Sequence, residues 1–156
     1  MATTPNSVVT AQTVNAGVMG VLLSTAATST KAYDGTDTAG TALALVYTVG
    51  SNGGTVEKVV ARYSGTAGAA PSGTSNATAL RVWVNNGSVN TTATNNFLVA
   101  DITVPAWTPS AVAANGGFEI PLNLKLPAGY KIYVGTPTAM GGTNCALAVG
   151  CFGTDL

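Results

Sequence analysis

The chain contains no histidine, and charged residues make up only 8% of its 156 positions, against about 25% in an ordinary soluble domain. Without histidine, the usual general base is missing. So are the Ser-His and Cys-His nucleophile pairs and the commonest metal ligand. Six basic and six acidic residues cancel. Nothing here clusters enough Lys and Arg to displace counterions from a nucleic acid or to hold an anionic membrane, so neither is an expected partner. Long apolar runs are missing as well. V-M-G-V-L-L is too short to span a bilayer, and M-A-T-T-P-N-S lacks the basic start of an export signal, so synthesis and folding in the cytoplasm are expected. No nucleotide-binding motif and no fixed-period repeat is present.

Cysteine is scarce too. Cys145 and Cys151 fall in one strand-like run, and six residues of strand put them about 20 Å apart, beyond the ~4.4–6.8 Å that a disulfide spans. Their parity points both to one face, where a free cysteine behaves as a small hydrophobe. Together these absences favour a structural or binding role over catalysis.

What the sequence does carry is alternation. Phe118, Ile120, Leu122, Leu124 and Leu126 occupy every second position, with Glu119, Pro121, Asn123 and Lys125 between them. That is the period of a strand with one buried and one wet face. Leu80, Val82 and Val84 repeat the pattern, as do Leu98, Ala100, Ile102 and Val104. Eight strands are expected, over Val18–Ser24, Leu43–Val49, Val56–Ser64, Ala79–Asn85, Phe97–Val104, Phe118–Leu126, Lys131–Thr136 and Cys145–Gly153, with turn signals between them. Eight antiparallel strands in one domain, residues 18–156, predict a two-sheet β-sandwich of the jelly-roll type. Phe118, Ile120, Leu122, Leu124, Leu98, Ala100, Ile102, Leu80, Val82 and Val84 are expected to point inward. Residues 1–17 read as an extended N-terminal arm. It is too poor in apolar surface to order alone and is suited to adding a strand to a neighbour's sheet edge.

The polar residues offer little chemistry. Asp101 and Glu119 are the pair a glycosidase would need, but both lie in the polar phase of their strands, where a solvated face accounts for them. Asp34 and Asp37 offer loop carboxylates to a calcium ion, yet Asp in a Gly/Thr-rich turn ordinarily bonds its own backbone. No metal, cofactor or enzymatic activity is expected. Asn76-Ala77-Thr78, Asn86-Gly87-Ser88 and Asn90-Thr91-Thr92 fit a glycosylation pattern that chance supplies in a chain rich in Asn and Thr. Trp83, next to Arg81 in the outward phase of A-L-R-V-W-V-N, is either a contact residue at a partner surface or a ring covered by a loop. Trp107 is either a loop anchor or a second contact.

R-V-W-V-N-N-G, N-N-F-L-V-A-D-I-T-V-P-A, F-E-I-P-L-N-L-K-L-P-A-G-Y-K-I-Y-V-G-T and the terminal F-G-T-D-L together resemble the small jelly-roll cement proteins of tailed bacteriophages. T-P-N-S-V-V-T-A-Q-T is similar to the N-terminal arm of such virion proteins. The resemblance covers most of residues 75–156 and about the first dozen. It implies a decoration protein on the outer face of an icosahedral head, binding the major capsid protein and bridging capsomers as a homotrimer. Pro5, Asn6, Val8 and Val9 of the arm join Arg81, Trp83 and Trp107 as interface candidates. The alternative function is a receptor- or glycan-binding sandwich module of a tail fibre or spike.

Overall fold

The computed structural model describes residues 13–15, 21–24, 34–36, 43–66 and 69–156. Among them the alternating segments become strands, in the order β1 Thr13–Asn15, β2 Val21–Leu23, β3 Ala44–Thr48, β4 Gly54–Gly65, β5 Thr78–Asn85, β6 Asn96–Val104, β7 Gly117–Leu126, β8 Lys131–Gly135 and β9 Cys145–Asp155. Every ladder is antiparallel. β2 pairs with β9, β3 with β8, β4 with β7 and β5 with β6, so the chain is one long hairpin nested on itself. Two more ladders, β4 with β9 and β5 with β8, join these pairs into sheets. One sheet runs β1-β9-β4-β7, with β1 and β2 on successive stretches of β9, and the other runs β3-β8-β5-β6. This is a jelly roll.

Thr13–Asn15, inside the stretch read as an arm, pair with Asp155–Gly153 of the chain's own β9. Pro5, Asn6, Val8 and Val9 lie outside the described residues.

The core fills the space between the sheets. Val56, Val59, Ala61, Leu147, Val149 and Cys151 face Val46, Leu80, Val82, Val104, Ile132 and Val134, all of them buried. Each large aliphatic side chain buried here contributes roughly 1.5–3 kcal/mol, so slipping a strand by one residue would be very costly. Ile120 is buried, while Phe118, Leu122, Ala100, Ile102 and Val84 pack partly buried against the same cluster. Leu124 is half-buried. Both cysteines are buried and free on the unbroken β9, as their parity implies.

Bulges break the simple alternation. In β4 the register shifts between Val56 and Lys58, so Val56 and then Val59, Ala61 and Tyr63 all face inward despite their opposite parity. In β6 it shifts opposite Val82 and Trp83. Val82 faces Ala100 and Trp83 faces Leu98, leaving Val99 as the extra residue. Leu98 was expected inside; the bulge turns it to the outer face, where it is 38% exposed.

At one end, the Tyr47 hydroxyl and the Gly50 N–H both donate to Asp155 Oδ1, at 3.1 and 3.0 Å. These bonds tie the β3–β4 turn to the end of β9. Burial, and then the Asp155 carboxylate, push the Tyr47 hydroxyl above its ordinary pKa.

Candidate partner surface

β5 carries Arg81 and Trp83 on the outer face of its sheet. Arg81 Nε donates to Asp101 Oδ2 at 3.2 Å across the β5–β6 ladder, where the two residues stand opposite each other. Trp83 is 1% exposed. Leu43 and Tyr133 pack against it, and Gly35 lies over its ring, where an added Cβ would sit 2.7 Å from Cδ1. Of the two readings of Trp83, the structure shows the covered one: the ring is enclosed within its own chain. Its Nε1–H is the buried side-chain donor that finds no acceptor among the described residues.

Trp107 is half-buried beyond the end of β6. Its indole stacks on Tyr63 at 5.0 Å with the planes 13° apart, and Phe118 meets Tyr63 edge-on at 5.7 Å. The Tyr63 hydroxyl donates to the Pro105 carbonyl at 2.6 Å, and burial raises its pKa. The loop-anchor reading of Trp107 therefore holds for one face of the ring, while its remaining surface lines a groove.

Of the large hydrophobics exposed among the described residues, Val89, Phe97 and Leu98 gather at the hairpin end of β5 and β6, while Leu22, Val112 and Leu156 lie elsewhere. β6 is an edge strand, paired only with β5. Phe97 stands across from Val84 on the core-facing side of that edge, yet is 72% exposed. Leu98 stands across from Trp83 on the outer side. Val89, in the connecting turn, is exposed as well. Asparagines staple this end together. Asn85 donates to Asn96 Oδ1 at 2.8 Å, Asn86 to Asn95 Oδ1 at 3.1 Å, Asn95 to the Val89 carbonyl at 2.9 Å and Asn96 to the Asn90 carbonyl at 3.0 Å. N-N-G followed by N-N-F was the available signal, because paired Asn on either side of a turn can bridge it. The amide of Asn76, in another of the glycosylation-like triplets, donates to the Ala139 carbonyl at 3.2 Å.

Two ion pairs stand on the outer faces of the two sheets. Lys58 Nζ meets Glu119 Oε2 at 2.9 Å on the outer face of the β1-β9-β4-β7 sheet, away from the Arg81–Asp101 pair on the other sheet. Asp101 and Glu119 therefore point out of opposite faces of the sandwich and do not converge as a catalytic pair. Asp34 Oδ1 accepts from the Thr36 N–H and hydroxyl at 2.9 and 2.7 Å, a self-bonded turn. Asp37 lies outside the described residues, and no group of three or more potential metal ligands occurs among those described. Burial pushes the Cys151 thiol up to about 12, with a backbone hydrogen bond at Phe152 pulling the other way. It is a protonated, inert core group at neutral pH.

No protein-family model matches this chain, and neither a curated protein nor a solved structure matches it.

Proposed function

We propose that the protein coats the outside of an assembled icosahedral phage head as a homotrimer, bridging neighbouring capsomers through contacts with the major capsid protein. The observation that carries this reading is the stapled rim of Val89, Phe97 and Leu98 at an open sheet edge. It is an apolar surface held in place by asparagine hydrogen bonds, of the kind that suits another protein. The jelly roll supports the reading, as does the resemblance of β5 through β9 to cement proteins. Zero net charge lets many copies sit side by side without mutual repulsion.

Such a protein acts by mass action. It binds the assembled shell and not its free subunits, so each occupied site opposes disassembly. At about 100 times its Kd, a ligand of this kind adds about 2.7 kcal/mol per site. A trimer engaging three related sites multiplies a modest contact into tight attachment.

Co-sedimentation with assembled heads and with dissociated capsid protein tests this. The protein should pellet with heads only, and light scattering should give a trimer of the 15.4 kDa chain. Phe97→Asp should fold normally and lose about tenfold or more in head affinity. A monomer that ignores heads, or equal binding to dissociated subunits, would overturn the proposal.

A further inference from the structure

The connection between β6 and β7 builds a feature apart from the β5–β6 rim. Trp107 lines a shallow groove of about 350 Å³ together with Pro71, Pro109, Ser110 and Asn115. The platform is fixed before any ligand arrives. The Trp107 backbone N–H donates to Ser75 Oγ at 2.9 Å, the Ser75 backbone N–H donates back to the Trp107 carbonyl at 2.8 Å, and Tyr63 backs the indole. A ligand would therefore meet little ordering cost on the protein side.

The groove's chemistry is neutral, with no ionisable side chain among the described residues that line it. The Trp107 indole N–H has no acceptor among the described residues and is not sealed from solvent. Asn115 is exposed, and its side-chain amide bonds to nothing within the described residues. Ser110 Oγ accepts from the Val112 and Ala113 N–H groups at 3.3 and 3.2 Å, which leaves its own proton to donate.

We propose that this groove is a binding subsite for one neutral sugar ring. A pyranose presents a face of C–H bonds whose positive hydrogens suit the negative face of an indole. Around that face runs a rim of hydroxyls that both donate and accept, matching the indole N–H, the Asn115 amide and the Ser110 hydroxyl. An anionic ligand would find no cation here. A proline-rich peptide asks for a succession of aromatic-lined slots, and this groove has one aromatic ring. Its volume lies near the lower end of the ~300–1,000 Å³ typical of ligand sites, which suits one ring better than a chain. The site stands or falls independently of the coat reading.

Because Trp83 is sealed, a change in tryptophan emission on titration reports Trp107. Glucose, galactose, N-acetylglucosamine and a polyproline peptide are titrated into the full-length protein. Saturation-transfer NMR serves as a second readout. At least one of the sugars should give a saturable emission change and saturation transfer to its ring C–H protons. Asn115→Ala, an exposed loop change, should weaken that sugar about fivefold, the worth of one hydrogen bond. Trp107→Phe, which keeps a ring but loses the N–H, should weaken it as well. No saturable response to any of the three sugars, a response unchanged in both variants, or binding of the peptide alone would overturn the assignment.

Discussion

The outer face of the β3-β8-β5-β6 sheet and the loop after β6 each hold one tryptophan, and the chain uses the two differently. Trp83 is sealed under Leu43, Tyr133 and the turn at Gly35, with its indole N–H finding no acceptor among the described residues. Trp107 is pinned from behind by Tyr63 and Ser75, and the rest of its ring faces a groove. An orphaned buried donor costs about 1–3 kcal/mol, so the packing around Trp83 has to outweigh that loss. Covering the face therefore serves stability. At Trp107 the ring is only half-buried, and the stack fixes its orientation. One region spends binding surface on the fold, and the other keeps it available.

Substitutions should separate the two regions by size of effect. Trp83→Ala removes the largest fully buried side chain in the described residues and should cost about 3–5 kcal/mol in urea denaturation. A loss below about 1 kcal/mol would mean the cover is loose. Gly35→Ala comes next. Gly35 has φ +70°, a conformation that L side chains rarely adopt, and its new Cβ would press on the Trp83 ring. It should destabilise by about 1–3 kcal/mol and red-shift Trp83 emission. Trp107→Ala should cost less, about 1–2 kcal/mol, because it removes a half-buried ring and one aromatic stack. Phe97→Asp should leave stability within about 0.5 kcal/mol, since the side chain already meets water. If it unfolds the protein instead, the β6 rim is structural and not a contact surface.

Much of the fold was legible because strand alternation is local. Phe118 through Leu126 and Leu80 through Val84 announce their faces by spacing alone, and the turn residues bound them to within a few positions. Four things were not local. The bulge at Val99 that turns Leu98 outward depends on how β6 meets β5, which no window of β6 displays. Whether Trp83 is covered depends on Gly35 and Leu43, some 40 or more positions earlier in the chain. The Trp107 platform needs Tyr63 from the other sheet, and Phe97 needs β6 to be an edge, which follows only from strand order. Spacing reports which face a residue takes. It does not report what lies over that face.

The most direct test of the coat reading is a cryo-EM map of the particle that carries this protein, at a resolution that traces the two sheets. The account predicts jelly-roll density in sets of three on the outer surface of the head, in many copies, with the β5–β6 end holding Phe97 against a neighbouring protein. Density confined to the tail in a few copies, or subunits on the head with Phe97 facing open solvent, would contradict it.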